Sequence, residues 1–285
     1  MNIRPSMLIA ADRCSRAMKF SYIDNIRTES ISSALIFGTS IDLAIKGYIE
    51  NTEIGYTYDP VDAFQENWNK AKLKNGIIFP TTHTPESMEA MGIRLMEKFP
   101  EYWEKADMHP LYVGGKPIFS VRLEKEITDG VVLTGEPDFI GFNNKYELTI
   151  LDFKTCAQPS KETFINQADQ LTAYQVLVEA NKDYLEIPSD QSVKHVGYVD
   201  LVKRKIPKAK GKGPEIEPVK VVSARSISEL QEFEEKVLWL NEDMIRGKFP
   251  RKSGLSFDSP CNMCDYAEYC VNGDTEGLIF PEDLD

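Results

Sequence analysis

The stretch Leu148-Thr149-Ile150-Leu151-Asp152-Phe153-Lys154 decides how the rest of the chain is read. Apolar and β-branched residues follow one another without a polar break until a carboxylate and a lysine end the run. Such a run reads as a strand, with Asp152 inside its apolar stretch. Asp152 and Lys154 are two apart, so they share one face of that strand. A lone buried carboxylate costs several kcal/mol, so Asp152 needs a partner.

Upstream, residues 117–127 and 131–142 alternate like strands, and Asp129-Gly130 and Asn143-Asn144 supply turns. With residues 146–154 they predict an antiparallel meander. The second of these strands holds Gly135-Glu136-Pro137-Asp138, which places Asp138 on a strand next to Asp152. Downstream, residues 162–181 predict a helix carrying Gln170-Leu171-Thr172-Ala173-Tyr174, with Gln170 and Tyr174 one turn apart on one face. Residues 193–203 and 219–223 read as strands. Ser228 starts a helix, with Gln231 completing a capping box, that runs to about Arg246.

The N-terminal part reads as helical. Residues 32–49 carry apolar positions at helical spacing. Asp59-Pro60 and Thr84-Pro85 each look like an N-cap followed by proline at the first helical position. The second opens a helix with Met88, Met91, Leu95, Phe99 and Tyr102 on one stripe, bent or ended near Pro100. The fold class is therefore α/β, a central mixed β-sheet flanked by helices, with an N-terminal helical region and a cysteine-bearing tail.

Composition narrows the function classes. The 285 residues are 42% hydrophobic and 27% charged, which excludes wholesale disorder. No apolar run approaches the ~20 residues that span a bilayer, so no membrane partner is expected. The short apolar stretch from Met7 to Ala11 is too brief for a signal peptide. The chain reads as cytoplasmic. Net charge is −12, a poor starting point for binding nucleic acid, but residues 203–220 hold seven Lys/Arg against two Glu. That +5 leaves −17 for the remainder, so any nucleic-acid surface is local.

Two convergent carboxylates on neighbouring strands, Asp138 and Asp152, suit a hard divalent cation such as Mg²⁺ or Mn²⁺. Lys154 beside them can orient a metal-bound water or take its proton. Gln170 and Tyr174 reach toward the same place from the following helix.

The order G-x-x-D, D-x-K, Q-x-x-x-Y resembles the PD-(D/E)XK nuclease superfamily, in its RecB-like exonuclease branch. The resemblance implies a restriction-endonuclease-like core. It implies Asp138 and Asp152 as ligands of Mg²⁺ or Mn²⁺, the Phe153 carbonyl as a further ligand, Lys154 as the catalytic lysine, and Gln170 and Tyr174 as its supporting pair. That branch has an upstream G-x-x-x-H helix whose histidine binds metal. Here Gly38-Thr39-Ser40-Ile41-Asp42 corresponds, with Asp42 in place of histidine. Asp42 is either a ligand, harder than imidazole and suited to Mg²⁺, or a helix carboxylate paired with Lys46.

Cys261, Cys264 and Cys270 form C-x2-C-x5-C, and Cys14 and Cys156 are the candidates for a fourth thiolate. Clustered cysteines in an intracellular chain suggest a metal rather than disulfides, and the spacing fits Zn²⁺ or an iron–sulfur cluster. The segment around Cys14 resembles the N-terminal cysteine segment of cluster-bearing RecB-like nucleases, the CRISPR-associated and AddB types. This implies a [4Fe–4S] cluster on Cys14, Cys261, Cys264 and Cys270, with Cys156 left to packing. The resemblance thus covers 1–285 as a single domain: a mainly helical part over 1–110, the core over 111–225 and the C-terminal helix and cysteine tail over 226–285.

The expected function is a metal-dependent DNA exonuclease acting in recombination, repair, replication or spacer acquisition. It would act on free DNA ends, with a helicase or recombination protein as partner. The alternative is a DNA-end-binding scaffold of the same fold with little cleavage. Lys203, Arg204, Lys205, Lys208, Lys210 and Lys212 are the candidate phosphate contacts.

Overall fold

A computed structural model describes residues 1–207, 209, 211–252 and 259–283. In chain order, the strands that carry the argument are β1 (Asn2–Ile3), β2 (His109–Pro110), β3 (Leu123–Thr128), β4 (Val131–Gly135), β5 (Phe139–Phe142), β6 (Leu148–Cys156), β7 (His195–Val202), β8 (Glu215–Ile216) and β9 (Lys220–Ser223). The helices are α1 (Pro5–Met18), α2 (Ser33–Glu53), α3 (Pro60–Ala71), α4 (Pro85–Ala106), α5 (Glu162–Asn166), α6 (Asp169–Ala180), α7 (Ile227–Ile245) and α8 (Ala267–Asn272). The chain is mixed α/β, as the sequence predicts. It divides into two compact units. None of its described helices is long and apolar enough to cross a membrane.

The larger unit comprises Ile31–Leu123 and Glu136–Arg225. Its sheet runs β8-β7-β6-β5-β2, and β9 also pairs with β7. β5 and β6 are antiparallel with Phe139 opposite Leu151. β6 and β7 are parallel with Asp152 opposite Tyr198, joined by a crossover through α5 and α6. Leu148, Ile150, Leu151, Val196, Val199 and Leu201 are buried, as central strands of a two-faced sheet require.

Helices α2, α3 and α4 build the core of this unit. Asp59 caps α3 by accepting from Val61 N–H, and Thr84 caps α4 in a reciprocal box with Ser87. Phe37, Phe64 and Trp68 meet edge-on or stacked among these helices. Gly92 on α4 is needed for that approach, because a Cβ there would sit 1.9 Å from Phe64 Cζ. α4 neither ends nor stops short at Pro100 but continues to Ala106. Beyond the proline, Trp103 packs on Phe99, Phe139 and Phe153, and that burial holds the last turns.

The smaller unit comprises Met1–Ser30, Glu124–Gly135 and Ser226–Asp285. Its sheet runs β1-β4-β3, with β1 parallel to β4. Phe20, Ile26 and Leu278 form a small core, edged by Tyr266, Tyr269 and Cys270.

Four expectations need correction. The strand over 131–142 is two strands, β4 and β5, in different sheets, broken at Glu136-Pro137-Asp138. Pro137 has no N–H to give a ladder, which ends the first pairing. The strand over 117–127 shrinks to β3, preceded by a short Lys116–Pro117 pairing and a single bridge at Phe119, and Ser120, with a left-handed φ of 47°, breaks it before β3. The helix over 162–181 is α5 and α6, separated where Ala168 is extended. Finally, α7 starts at Ile227 with Ser226 and Glu229 as its capping box, rather than Ser228 and Gln231. Both pairs have the right spacing, and a carboxylate is the better partner for a helix N-terminus.

Candidate active site

Asp138 is the last residue before β5. Its Oδ2 accepts the Phe153 N–H at 3.0 Å, which fixes the carboxylate beside β6. Asp152 lies within β6 and is only 2% exposed. α6 brings Gln170 onto it: Nε2 donates to Asp152 Oδ1 at 3.0 Å and to Tyr174 Oη at 2.8 Å. The same amide's Oε1 accepts from Lys154 Nζ at 2.9 Å. Lys154 Nζ also stands 2.6 Å from Asp152 Oδ2 in an ion pair. Gln170 thus bridges acid, lysine and tyrosine with one planar group.

α2 supplies the remaining acid. Gly38 lets this helix come close to β6, since a Cβ there would lie 3.2 Å from Thr155 Oγ1. One turn further on, Asp42 faces the same cavity, of about 310 Å³, as Asp138, Asp152, Phe153, Lys154, Gln170 and Tyr174. Asp42 and Lys46 are paired, as the helix spacing allowed, with Nζ 2.8 Å from Asp42 Oδ2. Yet Lys46 also reaches Asp138 Oδ1 at 3.5 Å, so the pair belongs to the acid cluster.

Burial dominates the electrostatics. It raises the Asp138 carboxyl to about 6, with the Asp152 charge adding to it. Burial likewise raises Asp152, against the pull of Lys154. Asp42 is raised by burial and then by Asp138. Burial alone would depress Lys46, but the hydrogen bond to Asp42 and the charges of Asp138, Asp42 and Glu136 hold it above the ordinary lysine value. Three crowded carboxylates resist ionising together and favour any cation that can join them.

The donor set fits a hard cation: three carboxylates, that of Asp152 buried, around a polar cavity. Among the described residues, however, no three ligand-type side chains already form a metal-holding group. The acids are turned instead toward Lys46 and Lys154. Lys46 is visible in the sequence only as an (i, i+4) partner of Asp42. Tyr198 has no motif to mark it; its ring lies 5.6 Å from Lys154 Nζ.

The cysteines gather in the smaller unit. Cys14 sits at a non-helical kink inside α1, with φ −165° and ψ 113°. Cys261 lies in a single 3₁₀ turn, where Ser259 Oγ accepts its N–H. Cys264 ends that turn, and Cys270 is on α8. All four are free thiols and line one cavity of about 340 Å³, together with Arg16, Arg251 and Lys252. Burial raises the Cys264 thiol, and the neighbouring Cys14 and Cys261 add to this. The thiols do not form a ready metal-holding group among the described residues. The donor set, four thiols beside three cations that would offset thiolate charge, fits a Cys₄ cofactor. Cys156 lies on β6 of the larger unit, its thiol pushed up to about 11 by burial and then by Asp200.

The basic loop is less uniform than its sequence. Lys203 is half-buried with Nζ 5.8 Å from the Phe37 ring, and burial lowers its pKa. Arg204 pairs with Glu215 and, at 3.8 Å, with Glu217. Lys205 and Lys212 are exposed. Lys208 and Lys210 lie outside the described residues.

The mixed sheet gathers buried acids and a lysine at the edge of one cavity. The chain belongs to the PD-(D/E)XK nuclease superfamily, whose profile matches residues 3–271. No curated protein matches it. Among solved structures, one described as the crystal structure of SSO0001 is similar at 13% identity, with a TM-score of 0.36, covering 93% of this chain and 95% of that one.

Proposed function

We propose that the chain is a metal-dependent DNA exonuclease of the RecB-like branch. Asp42, Asp138, Asp152 and the Phe153 carbonyl would hold Mg²⁺ or Mn²⁺. A divalent cation bound there would supply Lewis acidity toward a phosphate oxygen and lower the pKa of a water so that it can give up a proton and become the nucleophile. The observation that carries the reading is the network in which Gln170 joins Asp152, Lys154 and Tyr174. It locks Lys154 at a fixed place beside the acids. There the ammonium orients the attacking water, or takes its proton once deprotonated, and adds positive charge near the phosphate.

Cys14, Cys261, Cys264 and Cys270 would hold a [4Fe–4S] cluster, with Zn²⁺ as the competing occupant. Either would supply folding energy by tying the N-terminal segment to the tail. Exposed Lys205 and Lys212 are the first candidates for non-specific phosphate contact.

The test is degradation of end-labelled single- and double-stranded DNA beside closed circular DNA, with Mg²⁺ or Mn²⁺ and with Asp152→Asn as control. Stepwise loss of labelled ends with circles intact supports the exonuclease. Cleavage of circles points to an endonuclease. Tight end binding without cleavage points to a scaffold.

A further inference from the structure

Lys46 is unlike Lys154 in what holds it. Lys154 is tied to a neutral amide as well as to an acid, so it keeps a partner whatever happens to the acids' charge. The Lys46 ammonium is held by carboxylates, Asp42 Oδ2 at 2.8 Å and Asp138 Oδ1 at 3.5 Å. These are two of the acids that face the cavity, and a divalent cation would need them. The side chain is 19% exposed, on a four-carbon stem that can swing its ammonium without moving α2.

We propose that Lys46 is an internal counter-ion: it holds Asp42 and Asp138 together in the metal-free protein, yields them to an entering divalent cation, and then pairs with a phosphate of the bound strand. The proposal rests on the nuclease reading above. Charge balance supports it. Three carboxylates against two ammoniums leave −1. One divalent cation makes the site +1, which a single phosphodiester neutralises. Without Lys46 the metal-loaded site is neutral and offers the strand no net attraction. Lys46 therefore opposes metal in the absence of DNA and favours DNA in the presence of metal.

A fixed structural lysine would not give these opposite signs, so they form the test. Mn²⁺ binding to the DNA-free protein is followed by electron paramagnetic resonance. Affinity for a fluorescent oligonucleotide is measured in Ca²⁺ and in chelator. For Lys46→Met, Mn²⁺ should bind roughly tenfold more tightly, and the oligonucleotide roughly tenfold more weakly in Ca²⁺ with little change in chelator. Lys46→Arg, whose planar fork grips carboxylates better, should weaken Mn²⁺ binding. Unchanged or weaker Mn²⁺ binding by a folded Lys46→Met protein overturns the proposal, as does unchanged oligonucleotide affinity in Ca²⁺. If wild-type protein binds Mn²⁺ and cleaves DNA while Lys46→Met matches it in every assay, only the role of Lys46 fails. If wild-type protein binds no Mn²⁺, the nuclease reading fails with it.

Discussion

Asp138→Asn should make the metal-free protein more stable, and only at neutral to alkaline pH. Burial and the Asp152 charge raise the Asp138 carboxyl from the ordinary 3.8 to about 6. Between those values the folded chain keeps a proton that the unfolded chain has released. Stability therefore falls as pH rises through this window and stays at the lower level above it. At 1.36 kcal/mol per pKa unit, the cost of the ionised group above pH 6 is about 3 kcal/mol. Asparagine removes the charge and keeps an amide oxygen to accept the Phe153 N–H, which Asp138 now accepts at 3.0 Å. The cost of giving up the Lys46 ion pair already lies within that net value. In chelator at pH 8 the variant should melt roughly 5–10 °C above wild type, and the two should converge near pH 4. Added Mg²⁺ should narrow the gap at pH 8, because the cation binds the folded wild type and not the variant. Circular dichroism melts at both pH values decide it. An Asp138→Asn protein no more stable at pH 8, or equally favoured at both pH values, would refute the argument that the carboxylate is held at an energetic cost for the sake of a cation.

Asp152→Ala and Lys154→Ala should each abolish cleavage in a protein that still folds; wild-type cleavage by either would remove that residue from the chemistry. Cys14→Ala should lose its iron or zinc and melt at lower temperature, whereas Cys156→Ala should keep both, as metal analysis beside melting curves can show. Cys14 and Cys261 are 247 positions apart, so closing that loop affects the unfolded chain by on the order of 5 kcal/mol, comparable with the stability of many domains. Neutralising Lys205 and Lys212 should flatten the salt dependence of DNA affinity by about one unit for each phosphate no longer neutralised; an unchanged slope would place the DNA path elsewhere.

The fold class and the meeting of Asp138, Asp152, Lys154, Gln170 and Tyr174 were legible because each rests on a short-range rule. Period two puts Asp152 and Lys154 on one face, an (i, i+4) step puts Gln170 beside Tyr174, and a tight turn after β5 fixes its register with β6. Lys46 was half legible. Helix spacing paired it with Asp42, but its reach to Asp138 depends on how α2 lies across the sheet, which no local pattern encodes. The unequal state of the basic loop was hidden for the same reason. Arg204 meets Glu215 through the pairing of β7 with β8, whereas the sequence shows only a run of like charges.

The misread boundaries share a physical origin that bears on function. Hydrophobic periodicity averages over several residues, and so it smooths across single breaks. Yet three of the candidate site residues sit at such breaks. Asp138 follows Pro137, where one strand ends and another begins in a different sheet, and this frees its carboxylate to accept the Phe153 N–H. Gln170 is the second residue of α6, just past the extended Ala168 that separates it from α5, so its amide can reach both Asp152 and Lys154. Cys14 is the non-helical residue inside α1, turned into the cavity that the other three cysteines line. In a regular helix or strand, backbone direction and neighbour spacing dictate where a side chain points. A residue that must meet partners from three elements gains that freedom where the regular structure is interrupted. An interruption next to a carboxylate, amide or thiol is therefore a signal in its own right, and Pro137 beside Asp138 was the one the sequence displayed openly.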